Sequence, residues 1–291
     1  MNQRINRFLL GFTAVLALSL MVATLAMAAR IIGDAGPNVL VGTEGHDRIL
    51  AKGGNDVVDA LGGPDRVRAG EGDDAVNGGR GRDSLHGNRG NDTIDGGRGR
   101  DLITGNAGAD RIGGGAGCDR VFAGPDDDTI EGGAGFSFNR FRCERLHGGL
   151  GDDTSSGGAG RDFMSGGKGD DVQSGGGGTD KIFANPGRDK SDGGDGPDVL
   201  WALARLDVSA IGDSEGDELS GGAGRDRFHV RDGELDLVHC GPGRDVVVSD
   251  QFDVLDADCE LERQSDIRSL DQVEDGEENQ TENPSEDRDE G

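Results

Sequence analysis

An all-β solenoid, a parallel β-roll or β-helix built from 18-residue coils, is the fold class this sequence predicts. Three observations predict it. A nine-residue phrase runs without a slip from Gly33 to Glu131. Glycine, 56 of 291 residues, gathers in the first half of that phrase. One aliphatic residue recurs in its eighth place, while large apolar residues are otherwise too few for an ordinary core, with ten Phe, one Trp and no Tyr. Glycine-rich, acidic composition alone would indicate disorder. Strict register argues for a stack of repeats that bury a core only together.

Residues 1–28 read as a secretory signal peptide. Arg4 and Arg7 precede an apolar run that ends in the small residues Ala26-Met27-Ala28-Ala29, with cleavage expected near Ala28. The run is long enough to span a bilayer, so a retained membrane anchor is the alternative. The A-x-A ending favours cleavage, and no later segment is apolar enough to cross. The remaining chain is strongly acidic, with a formal net charge of -27 for the whole sequence. Such a chain repels nucleic-acid phosphates and anionic lipid and attracts multivalent cations.

Residues 29–131 form the first repeat block. Its sixth places hold Asn38 and then Asp47, Asp56, Asp65, Asp74, Asp83, Asp92, Asp101, Asp110, Asp119 and Asp128. The eighth places are aliphatic throughout, among them Leu85, Ile94 and Ile103. Glycines open conformations closed to other residues, so the first half of each unit is a tight turn. The second half, such as Asp92-Thr93-Ile94-Asp95, is a short strand with its aliphatic residue pointing inward and both neighbours outward. One turn plus one strand reverses the chain, so two units close one coil between facing parallel sheets. Residues eighteen apart then lie over each other, about 4.8 Å apart. Asp83 falls near Asp65 and Asp101, while Asp92 belongs to the opposite column. Stacked carboxylates in a partly buried turn repel one another and need a counterion. Turn carbonyls and carboxylates are hard oxygen donors, which suit calcium. Cys and His are absent from these columns, which argues against zinc.

The phrases GGRGRDSLH, GNRGNDTID and GGRGRDLIT resemble the RTX nonapeptide G-G-x-G-x-D-x-U-x of hemolysin-type calcium-binding proteins. That resemblance implies a β-roll in which glycine turns and sixth-place aspartates bind calcium between adjacent coils. Many members of the family are exported through a C-terminal signal, whereas this chain carries an N-terminal one. The resemblance is tight over residues 33–131 and looser over residues 148–201.

Residues 132–147 interrupt the beat as a loop. A second block, 148–210, resumes with Asp153, Asp162, Asp171, Asp180, Asp189 and Asp198 in sixth place, then Asp207 in a copy without glycines. Its eighth places alternate: Ser155, Gln173, Ser191 and Ser209 on one sheet, Met164, Ile182 and Leu200 on the other. One inner wall is therefore polar, and the block should be the less stable one. Residues 211–263 read as degenerate repeats with a C-terminal cap. The acidic tail, 264–291, reads as disordered.

Four cysteines in an exported chain should pair. Of three connectivities, the local one is preferred: Cys118 with Cys143 and Cys240 with Cys259, each closing a run of repeats and contributing about 3 kcal/mol. The stretch CGPGRDVVVSDQFDVLDADCE also looks like the terminal part of Sec-secreted members of the family.

Catalytic candidates are weak. GDSEG at residues 212–216 matches a nucleophile-elbow pattern, but turn sequence follows where the elbow needs a helix, so Ser214 is not expected to be catalytic. His46, His86, His147, His229 and His239 are scattered, without a zinc-protease motif. Asn91 and Asn279 fit the glycosylation pattern and matter only in a host that modifies it. The outward columns read as a mixture of Arg, Asp, Ser and Thr. The expectation is a secreted, non-enzymatic protein that folds on calcium ions, with no nucleic-acid partner and no membrane span after cleavage. The alternative is an adhesion or matrix protein that uses the roll as a rigid surface toward a cell-surface or matrix partner.

Overall fold

The computed structural model describes residues 28–135, 144–202 and 216–261. The proposed signal run, Cys143, Asp207, Ser209, Ser214 and the acidic tail lie outside the described residues. Among the described residues, no helix is long and apolar enough to cross a membrane.

All regular structure described is β-strand, arranged as two parallel sheets of 13 and 14 strands. The chain alternates between them. Arg30–Ile32, Arg48–Gly53 and Arg66–Glu71 follow one another in the first sheet, Val39–Thr43, Val57–Leu61 and Ala75–Asn77 in the second. The register step is eighteen residues: Ile49 pairs with Val67, Val67 with Leu85, and Val58 with Val76. This is the solenoid the repeat predicts.

Strands extend further into the glycine half than the sequence suggests, because inward alternation continues past the eighth place. Asp47, Ile49 and Ala51 are buried while Arg48, Leu50 and Lys52 point out. From Asp47 to Ile130, each unit thus sends an aspartate, an aliphatic residue and a Gly or Ala into the interior. The core is a thin stack of single side chains, including Leu85, Ile94, Ile103, Ile112 and Ile130.

Glycine is required where coils touch through backbone. At Gly99 φ is 154°, and an added Cβ would lie 1.5 Å from the Gly81 carbonyl oxygen of the preceding coil.

The roll is continuous through the interruption. Thr129–Gly135 pairs with Thr154–Gly160, and Arg120–Pro125 with Arg145–Leu150. Gly132–Gly135 and Glu144–His147 are therefore roll, and residues 136–143 lie between them. In block two, Ser155, Gln173 and Ser191 are buried on one wall, opposite Met164, Ile182 and Leu200. The next place on the polar wall, which the eighteen-residue count assigns to Ser209, belongs to Leu219, which pairs with Ser191.

The eighteen-residue step also sorts the outward columns. Between Arg30 and Val248, the seventh and ninth places of the first sheet carry no acid. They hold Arg30, Arg48, Arg66, Arg68, Arg120, Arg145, Lys181 and Arg227. An aromatic ladder runs up the same face through Phe122, His147, Phe163, Phe183, Trp201 and His229, with ring centroids 4.3–6.0 Å apart. The second sheet shows Asp59, Asp95, Glu131, Asp192, Glu218 and Asp256. The cations in its seventh places, Arg111 and Lys190, pair with Glu131 and Glu218 at 2.6 and 2.8 Å. The outward mixture seen in sequence is thus two faces of opposite sign interleaved by a nine-residue count.

Candidate metal centre

Every sixth-place aspartate from Asp47 to Asp198 is buried, at 0–3% exposure. Burial is possible because one carboxylate oxygen has a fixed partner in the coil before it. The backbone N–H of Asp47 donates to Asp65 Oδ1 at 2.7 Å, Asp65 to Asp83 at 2.7 Å, Asp83 to Asp101 at 2.8 Å and Asp101 to Asp119 at 2.8 Å. The ladder crosses the interruption through Glu144, whose Oε2 accepts from Asp119 N–H at 2.8 Å. It then continues through Asp162, Asp180 and Asp198. The opposite ladder runs from Asn38 through Asp56, Asp74, Asp92, Asp110, Asp128, Asp153, Asp171 and Asp189. Both go on into the degenerate repeats, to Asp226 and Asp245 on one side and Asp217 and Asp236 on the other.

Sequence reasoning missed Glu144 and left Asp217, Asp226, Asp236 and Asp245 out of the ligand columns. The signal for Glu144 was present: Leu146 stands two residues on and Gly148 four, which is the phrase without its leading glycines.

The second carboxylate oxygen is different. Oδ2 of Asp56, Asp65, Asp74, Asp83, Asp92, Asp101, Asp110, Asp119 and Asp128 is buried with no hydrogen-bond partner. The same holds for Asp153, Asp162, Asp171, Asp180, Asp189 and Asp198. Such an atom in an ionised carboxylate carries a large desolvation cost. From Asp65 to Asp198, burial, the leading cause, lifts the ladder aspartates above the ordinary carboxylate range. Asp65, Asp92, Asp101, Asp128, Asp171 and Asp198 reach about 7, and Asp189 about 8. Glu144 reaches about 9, with Asp119 and Asp162 adding like-charge repulsion.

Where the first place is glycine, the orphaned oxygen closes on the point that a side chain would fill. At Gly78, the point an added Cβ would occupy is 2.7 Å from Gly96 O and 3.0 Å from Asp83 Oδ2. At Gly96 the corresponding distances are 2.5 Å to Gly114 O and 3.0 Å to Asp101 Oδ2, and at Gly175 2.6 Å to Gly193 O and 2.7 Å to Asp180 Oδ2. A carbonyl of one coil and a carboxylate of its neighbour therefore converge on one small volume. Ala51, Ala60, Ala69, Ala123 and Ala184 place a methyl there instead. Among the described residues, no three His, Cys, Asp or Glu side chains gather around one point that could hold a metal ion. Any ion held here must draw on main-chain carbonyls, as the all-oxygen chemistry of calcium allows.

Cys240 and Cys259 form a disulfide with Cα atoms 5.4 Å apart. Cys118 is not free, and the partner expected for it, Cys143, lies outside the described residues. His86 and His147 stand among the arginines of the first face, and His239 lies 3.0 Å from Asp256 on the second.

No curated protein matches the chain. Among solved structures, the chain is similar to a hyperactive, Ca2+-dependent, beta-helical antifreeze protein from an Antarctic bacterium. The two share 17% identity over 84% of this chain and 83% of that one, at a TM-score of 0.42. The family described as RTX calcium-binding nonapeptide repeat (4 copies) matches residues 32–67, 51–85, 86–120, 104–137, 147–182, 174–200 and 211–234. These spans cover well over half the sequence: the chain belongs to the RTX calcium-binding nonapeptide-repeat family, and the ion it binds is calcium.

Proposed function

We propose that this is a secreted calcium-binding protein whose roll closes when calcium enters the two aspartate ladders, and that it has no catalytic role. The observation that carries this reading is the run of buried, partnerless Oδ2 atoms facing carbonyls of the adjacent coil. Carboxylates from Asp56 to Asp198 would hold the ions together with turn carbonyls, and the glycine-first units carry the reading best. Calcium would supply the positive charge that lets these groups ionise inside the roll. Because the unfolded chain does not stack these carboxylates against the carbonyls, binding free energy becomes folding free energy.

Residues 1–28 support export as the signal peptide, and outside the cell calcium at about 10⁻⁴–10⁻³ M is within reach of such sites. Calcium titration of the purified protein by equilibrium dialysis tests the ion reading. Many equivalents bound per chain are expected, and none bound at millimolar calcium would end it. Appearance of the protein in the culture medium, lost on deletion of residues 1–28, tests export.

A second reading, an adhesion or matrix protein, is favoured by one feature: the cationic aromatic face opposite an acidic one. It differs by a partner, which a cell-surface pull-down would reveal.

A further inference from the structure

Asp47 departs from the rest of its column. Its Oδ2 accepts from the backbone N–H of Thr43, and the Thr43 hydroxyl lies 3.0 and 3.1 Å from its two carboxylate oxygens. The Oδ2 atoms of the following aspartates, Asp56 to Asp128, have no partner. The Oδ1 of Asp47 accepts from the backbone nitrogen of Ala29 at 2.6 Å.

Ala29 stands eighteen residues before Asp47 and fills the sixth place of the roll from both sides. Its nitrogen donates forward, as each ladder aspartate does. Its carbonyl accepts from Arg48 N–H at 2.8 Å, just as the Asp47 carbonyl accepts from Arg66 N–H at 2.9 Å. Immediately upstream, Thr24-Leu25-Ala26-Met27-Ala28 contains no glycine, so the repeat phrase does not continue there in the sequence. Among the described residues, the roll therefore begins at the residue that the A-x-A pattern would leave as a new N-terminus. Two independent features, a small-residue motif and a hydrogen-bond register, meet at one peptide bond.

We propose that cleavage after Ala28 creates an α-ammonium at Ala29 that ion-pairs with Asp47, and that this ammonium, with Thr43, closes the first rung in place of calcium. Hydrolysis of the Ala28–Ala29 amide adds one water: Ala28 keeps the carboxylate, and Ala29 gains the ammonium. The charge-assisted bond is stronger than the amide bond it replaces. Asp47 is then the cap of its column and not a ligand. The inference rests on the export reading for its protease, but its energetics can be measured without export.

The intact mass of the secreted protein should place Ala29 first. Separately, the chain from Ala29 to Gly291, which contains every described coil, is compared in calcium with the same chain bearing one extra glycine before Ala29. The native start should melt a few degrees higher, and Asp47→Asn should erase that difference. Asp47→Asn should also leave the number of bound calcium ions unchanged, while Asp83→Asn lowers it. Thr43→Val gives a milder loss of melting temperature should Asp47→Asn fail to fold. Equal melting of the two starts, or loss of an ion in Asp47→Asn, overturns the proposal. A protein that is not exported but shows the melting difference would end the export reading and leave the cap standing.

Discussion

From Asp56 to Asp198, each ladder aspartate uses its two oxygens differently. Oδ1 takes a backbone N–H from the coil before it, and Oδ2 waits, buried, beside a carbonyl of the coil after it. Asp101→Asn separates them, because an amide oxygen can still accept from Asp83 N–H while the charge is gone. Isothermal titration is expected to show calcium stoichiometry falling by at least one in this variant, whereas Asp95→Asn on the outer face leaves it unchanged. Equal stoichiometry in all three proteins would contradict the assignment. Gly99→Ala is expected to be far worse than either, because the added methyl meets the Gly81 carbonyl at 1.5 Å; a thermal melt without a cooperative β transition is the expected outcome. The sixth-place column was legible in the sequence because the beat is strict. The Oδ1 bond was not, since a contact across eighteen residues leaves no local mark. Glu144 escaped because its unit has lost the glycines that announce the phrase.

At the scale of the element, one coil is the unit of packing, and what it buries decides its strength. First-block coils bury aliphatic side chains on both walls. In the second block, Gln173 spans the interior: with its amide turned to serve both ends, it donates to Phe183 O at 3.0 Å and accepts from Gly166 N–H at 2.9 Å. Ser155 Oγ finds no partner. A buried polar group without a partner costs about 1–3 kcal/mol. Amide hydrogen exchange in calcium is therefore expected to open strands around Ser155 and Gln173 at lower free energy than those around Ile94 and Ile112. Equal protection in both blocks would refute this. Filling the wall with Ser155→Val should raise protection locally. The polar stripe was readable once the coil was counted as eighteen. The faces of opposite sign were equally encoded, in Arg48, Arg66 and Arg68 against Asp59 and Asp95, but a nine-residue count shuffles them together.

For the whole molecule, the same carboxylates set the response to pH. Burial raises Asp65, Asp92 and Asp101 to about 7 and Glu144 to about 9, from ordinary values of 3.8 and 4.5. The folded roll therefore binds more protons than the unfolded chain between those limits, and its stability falls as pH rises through them. Without calcium, the protein is expected to hold its β-structure near pH 4 and lose it as pH climbs through about 6 to 7; circular dichroism with chelator present checks this. On the proposed reading, protons at low pH do what calcium would do at neutral pH, removing charge from inside the roll. The solenoid itself was legible because glycine, aspartate and aliphatic columns agree at every copy. Its continuity past residues 132–147 was not, because the strands on either side carry the register across the break.

The most direct test is the far-ultraviolet circular dichroism of the purified protein at pH 7.5 with millimolar calcium, then with excess chelator, then with calcium restored. Calcium-dependent folding predicts a β spectrum that collapses toward an unfolded one on chelation and returns with calcium but not with magnesium. A β spectrum unchanged by chelation would contradict it.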